Sequence, residues 1–194
     1  MTDSPRPAAN ASPLSAGADA ALSAASLSAA SLSALDQSAF TAHLAAIYEH
    51  SPWIAERSWP QRPFASRAAL ARAMEQTLDA ASADEQLALL RAHPELAGQA
   101  ARRGELGDDS RREQAGARLG DYLPDELATI DRLNREYREK FGFPFIVAVK
   151  GLTRGEILAA MARRVGHERD QEFAEALAQV KRIAGFRLAD KVAD

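Results

Sequence analysis

Phe141-Gly142-Phe143-Pro144-Phe145-Ile146-Val147-Ala148-Val149-Lys150-Gly151 breaks the helical pattern of this 194-residue chain with a continuous apolar, aromatic run bracketed by glycines. Read alone, it fits a β-strand. No second run of this kind occurs, however, and a single strand cannot form a sheet with itself. An extended, buried connection is therefore expected, and the fold class rests on the segments around it. On its N-terminal side, Pro124-Asp125-Glu126 opens a helix carrying Leu127, Ile130, Leu133, Tyr137 and Phe141 at helical spacing. On its C-terminal side, Thr153 with Glu156 three residues on forms a capping box. A last helix runs from Asp170 through Phe173, Leu177, Val180, Ile183 and Leu188.

The same signals recur upstream. Asp36 caps a helix through Phe40, Leu44, Ile47 and Tyr48, and Ser51-Pro52 starts a short helix with Trp53 and Ile54. Ser66 caps a helix with Leu70, Met74, Thr77 and Leu78. Ser82 and Glu85 form a capping box for a helix ending near Ala92, and Ser110 is placed to cap another, with Glu113 at the box position. The expected architecture is all-α, a compact single-domain bundle of about seven to eight helices.

Residues 1–35 are an island of Ala, Ser and Pro with a near-repeat from Leu22 to Ala34. So little bulky apolar surface cannot offset an ordering cost of ~1–2 kcal/mol per residue. The stretch is expected to be a disordered or weakly helical extension to a helical domain over 36–194. The alternative is an amphipathic partner-binding helix, which is disfavoured because its leucines recur every five residues and hold no helical face.

Composition narrows the function classes. A net charge of −3 offers no basic excess for phosphate neutralisation, which argues against nucleic acid as a partner. There are no cysteines, so disulfides, thiolate metal sites and a cysteine nucleophile are out. No apolar run approaches the ~20 residues that span a bilayer, and no secretory leader is evident, so a cytoplasmic protein is expected. No His-Glu-x-x-His is present, and His43 and His50, seven apart, lie too far apart to share an ion, so no metal is expected. The glycine loop of nucleotide-binding proteins and the Gly-x-Ser-x-Gly elbow of serine hydrolases are both missing.

What remains is acid–base chemistry. In Arg91-Ala92-His93-Pro94-Glu95-Leu96-Ala97-Gly98 a histidine precedes a proline, which pushes it out of the helical region and ends the helix there. Imidazole titrates near neutral pH. Glu113 and Gln114 sit on the next helix, across a glycine-bearing loop, where they would face His93 across a cleft or merely cap and solvate their own helix. A cation completes the set of candidates.

Several long runs, in order, resemble the OHCU decarboxylases: Ile47 to Glu56, Arg91 to Gly98, the Ser110…Glu113-Gln114 segment, Leu133-Asn134…Tyr137, Lys140 to Ile146, and Arg187-Leu188. The likeness covers about residues 36 to 190. That family converts 2-oxo-4-hydroxy-4-carboxy-5-ureidoimidazoline (OHCU) to (S)-allantoin, the last step from urate. The resemblance implies an all-helical, cofactor-free homodimer acting on a small-molecule substrate, with an association with other urate-pathway enzymes open. It implies catalytic roles for His93, Glu113 and Arg187. It implies substrate contacts from Pro94, from Ser110, Arg111, Arg112, Glu113 and Gln114, from the backbone of Phe145, Ile146, Val147, Ala148 and Val149, and from Arg187. Whether His93 removes the hydroxyl proton or delivers one to a single face of the intermediate is left open. Two rival readings are a non-catalytic helical interaction module, with Trp53, Trp59 and Phe64 as an interface rather than core, and a paralogue acting on a related ureido heterocycle.

Overall fold

A computed structural model describes residues 26–98, 103, 105–116 and 122–194. In chain order these form β1 (Leu27–Ser28), α1 (Ala29–Ser33), α2 (Gln37–Leu44), α3 (Trp53–Ser58), a 3-10 turn (Trp59–Gln61), α4 (Arg67–Asp79) and α5 (Ala83–Ala92). They continue as α6 (Asp108–Gly116), α7 (Pro124–Phe141), α8 (Arg154–Val165), α9 (Arg169–Lys191) and β2 (Val192–Ala193). Nine helices among the described residues, with one two-residue parallel pairing of β1 with β2, make the chain a mostly α single-domain bundle. None of the described helices is long and apolar enough to cross a membrane.

The helix starts follow the local chemistry. The Asp36 carboxylate accepts from Ala39 N at 2.8 Å, and the Ser66 hydroxyl from Ala69 N at 3.1 Å. Ser82–Glu85 and Thr153–Glu156 close both halves of their capping boxes. Gly142 ends α7 in the left-handed region at φ 79°, where a side chain on Cβ is strained.

The 23-residue α9 is the spine of the bundle and packs on α4, α5 and α7. Residues 143–149 cross the molecule as a buried, extended strap with no strand partner, as the lone apolar run predicts. An aromatic cluster holds it: the Tyr137 ring lies 4.6 Å from Phe141 and 5.4 Å from Phe145. Beneath the strap is a buried ion pair. Arg164 donates to Glu172 through Nε at 2.9 Å and Nη2 at 2.5 Å, and through Nη1 to the Ile146 carbonyl at 2.8 Å. Tyr137 OH and His167 Nδ1 complete the shell of Glu172, which is wholly buried. Such a pair is tolerated inside because its lone pairs and protons are met.

Three expectations need correction. The globular part reaches back at least to 27, not 36, because β1 pairs with β2 and α1 buries Ala29 and Leu32 in the core. The rest of the expected extension lies outside the described residues. The helix expected from Asp36 through Tyr48 stops at Leu44, and Ile47 and Tyr48 are buried from a turn instead. Ser110 does not cap α6, because Asp108 and Asp109 occupy the first turn and Ser110 lies buried within the helix. Phe64 is core, and Trp53 and Trp59 pack partly buried against it, the Trp59 indole donating to the Leu35 carbonyl at 3.0 Å.

Candidate active site

His93 ends α5 with φ −68° and ψ 136°, the extended backbone that Pro94 imposes. Its loop is tied down from α7. Asn134 Nδ2 donates to the Leu96 carbonyl at 3.0 Å, and Arg138 pairs with Glu95 at 2.9 Å. The loop's next residue, Ala97, has φ 49°, a left-handed backbone that costs a non-glycine residue ~1–2 kcal/mol. That backbone is anchored by its N–H, which donates to Gln114 Oε1 at 3.1 Å. The helix-end loop and α6 are thus joined through the amide that the sequence marks as a site residue.

His93, Pro94, Ser110, Glu113 and Gln114 line one cavity of about 30 Å³, together with Phe145, Ile146, Val147 and Val149 of the strap. A wider cleft of about 580 Å³ adjoins it and is lined by Asp109, Arg112, Lys150, Arg187, Asp190 and Lys191 among others. Glu113 lines both.

Arg187, on α9, organises the acids. It is 3% exposed. Nε donates to Glu113 Oε1 at 2.7 Å and Nη2 to Oε2 at 2.9 Å, a bidentate fork that fixes the carboxylate plane. Nη2 also reaches Ser110 Oγ at 3.1 Å and Glu49 Oε2 at 3.2 Å, and Nη1 reaches the Ala46 carbonyl at 3.3 Å. The Ser110 hydroxyl donates to Glu49. Burial would lower the guanidinium's proton affinity, but the bonds and charges of Glu113 and Glu49 outweigh it and hold Arg187 above its ordinary value.

The His93 imidazole is pushed down to about 4. Burial is the main cause; the charge of Glu49 pulls the other way, and Arg187 and His50 add to the lowering. Its Nδ1 is buried without a hydrogen-bond partner among the described residues. Near neutral pH the ring is therefore uncharged and can accept a proton.

The structure thus brings His93, Pro94, Ser110, Glu113, Gln114 and the strap together around one cavity, with Arg187 one contact behind. Arg111 and Arg112 sit apart from it. Arg111 donates to the Leu106 carbonyl at 2.9 Å, and Arg112, exposed, pairs with Asp109. The amide of Ala148 faces away from the cavity group, donating to Gln179 Oε1 at 2.9 Å. Glu49 carries no signal in the sequence beyond its place in the Ile47-to-Glu56 run. A lone carboxylate in a turn looks like a solvated residue until the fold sets it against Arg187.

Comparisons with known proteins give the family. Residues 33–189 match the family described as OHCU decarboxylase. A 2-oxo-4-hydroxy-4-carboxy-5-ureidoimidazoline decarboxylase of Haloferax volcanii is 46% identical over 156 residues, covering 80% of this chain and 90% of that protein. A uric acid degradation bifunctional protein of Bacillus subtilis is 43% identical over 159 residues, 82% of this chain and 31% of that one. Among solved structures, an (S)-allantoin synthase superposes with a TM-score of 0.68 at 32% identity, over 86% of this chain and 54% of that one.

Proposed function

The chain belongs to the OHCU decarboxylase family, and from that membership we propose that it decarboxylates 2-oxo-4-hydroxy-4-carboxy-5-ureidoimidazoline to (S)-allantoin in urate degradation. The observation that carries the reading is the shared cavity of His93, Glu113, Gln114 and the strap. Ligand pockets commonly run to ~300–1,000 Å³. The 30 Å³ chamber is therefore suited to the reacting end of the ring, and the cleft beyond Glu113 to the remainder.

In the substrate, one ring carbon carries both the carboxylate and a hydroxyl. Its neighbour carries the ureido arm and belongs to the ring imine. When the carbon–carboxylate bond breaks, its electron pair forms a double bond to that neighbour, and the imine pair moves onto the ring nitrogen, which takes a proton from solvent. His93, uncharged, accepts the hydroxyl proton. It then returns that proton to the neighbouring carbon, leaving a carbonyl where the hydroxyl was. Delivery from one side of the planar intermediate makes a single enantiomer. Every proton and electron pair is placed on the substrate, on solvent or on His93, so the proposed reaction needs no cofactor. Glu113, fixed by Arg187, and the Gln114 amide suit the N–H donors of the ureido arm. Of the strap, Phe145, Ile146, Val147 and Val149 line the cavity and are placed to offer main-chain groups where charge develops.

Homodimerisation and a cytoplasmic location belong to the same reading, on the family likeness. The bifunctional Bacillus subtilis relative, of which this chain spans 31%, supports work beside another urate-degrading activity.

The test is to add the protein to freshly generated OHCU and follow optical rotation. We expect (S)-allantoin in excess over the racemate that spontaneous decay would leave. His93→Ala should lower kcat by ~10²-fold or more with unchanged helix content. Racemic product at the uncatalysed rate would reject the function, and near wild-type turnover by His93→Ala would reject the role of the imidazole.

A further inference from the structure

We propose that Glu49 is a positioning residue of this site: its carboxylate locks Arg187 to Ser110 and supplies the negative charge beside which His93 works. The inference rests on the decarboxylation reading above and extends it to a residue outside the expected catalytic set.

Placement comes first. Glu49 sits in the turn between α2 and α3, just after Ile47 and Tyr48, both buried in the core. The next residue, His50, has φ 54°. A non-glycine backbone in the left-handed region persists only where its surroundings over-determine it. Here the buried pair on one side and buried Ser51 on the other do so. The turn sends the Glu49 side chain inward, leaving it 11% exposed. Gly107 leaves room on the other flank, since a Cβ there would stand 3.2 Å from Glu49 Oε1.

Contacts come second. One oxygen of Glu49 accepts from both the Ser110 hydroxyl and Arg187 Nη2. Arg187 Nη2 also reaches Ser110 directly, closing a triangle of three side chains from the turn, α6 and α9. The same Nη2, together with Nε, holds Glu113. Glu49 therefore fixes the roll of the group that fixes Glu113.

Charge comes third. One guanidinium faces two carboxylates, leaving the cluster negative by one beside an uncharged imidazole. The charged or titratable groups around His93 are Glu49 and His50 from the turn, Arg187 from α9 and Glu113 from α6. The strap residues lining the cavity carry none. Glu49 opposes Arg187 and His50 in its effect on the imidazole. A second carboxylate is not needed to neutralise one arginine, and burying it is costly unless it is compensated. Stabilising the imidazolium that forms when His93 takes the hydroxyl proton gives that charge a use.

Glu49→Gln keeps the size and an acceptor but removes the charge; Glu49→Asp keeps the charge but shortens the reach. For Glu49→Gln we expect kcat to fall at least tenfold while KM changes less than threefold, with the acid limb of the kcat–pH profile and the NMR titration midpoint of His93 both moving to lower pH. For Glu49→Asp we expect kcat to fall while the His93 midpoint stays at the wild-type value. Wild-type kcat and an unmoved midpoint in Glu49→Gln would overturn the proposal. So would equal midpoint shifts in both variants, which would mark a packing effect. Should Glu49→Gln fail to fold, Glu49→Asp decides alone: wild-type kcat or a displaced midpoint overturns the proposal. The NMR titration needs no substrate, so failure of the decarboxylation reading shows separately as wild-type protein inactive on OHCU.

Discussion

His93 shows how one backbone constraint and one burial change set up a reactive side chain. Pro94 turns the residue out of α5, and the walls of the cavity then strip water from the ring. The outcome is an imidazole at about 4 against an ordinary 6.5. A proton that the unfolded chain accepts below pH 6.5 is refused by the fold until pH approaches 4. The contribution of His93 therefore favours the fold fully above pH 6.5 and is lost progressively as pH falls through that window, up to roughly 3 kcal/mol. Urea titrations of wild type and His93→Gln at pH 7.5 and pH 4 isolate it. The wild type should lose more stability than the variant across that interval, and equal losses would mean the ring titrates normally. At this scale the sequence pointed to His93 because a histidine before proline is a local pattern, and to Glu113 and Gln114 through a capping-box spacing that α6 does not use. Glu49 stayed hidden, because its meaning lies entirely in Arg187, far along the chain.

Among the elements, the strap depends most on its neighbours. It makes no ladder of its own, and its Ile146 carbonyl is met by Arg164, whose guanidinium also stacks 4.7 Å over the Phe145 ring. Arg164→Met should cost ~3–5 kcal/mol in urea denaturation, because it strands the buried Glu172 charge, whereas Arg164→Met combined with Glu172→Met should cost less than Arg164→Met alone. An additive double variant would show the pair to be uncoupled. The strap's extended form was legible from its isolation: one apolar run had nothing to pair with. Capping chemistry likewise announced α4, α5 and α8 at Ser66, Ser82 and Thr153. It misled at Ser110, where a serine and a glutamate at box spacing fall inside α6, because Asp108 and Asp109 start the helix two residues earlier and the hydroxyl is claimed by Glu49. The Ala/Ser composition near α1 hid Leu32, since no compositional average registers a single leucine that finds a core.

Across the whole molecule, the site is assembled from the turn before α3, the end of α5, the middle of α6, the strap and the last turns of α9. Only the complete bundle brings them together, so packing lost far from His93 lowers the fraction of molecules in which the site is formed. Leu32, fully buried within α1, is one such point. Leu32→Ala should cost ~2–5 kcal/mol, read as a lower urea midpoint with kcat preserved in the folded fraction. A variant of unchanged stability would return residues 27–35 to the status of an appendage.

The seam where Leu27 pairs with Val192 joins the two most distant described stretches of the chain. Bringing such remote segments together carries a loop-closure entropy that grows as ~(3/2)RT ln n, and only two residues on each side repay it. We expect the seam to form late in refolding and to open early. Amide deuteration at Leu27, Ser28, Val192 and Ala193 should outrun that of the α9 interior, making this pairing the molecule's earliest gauge of thermal loosening.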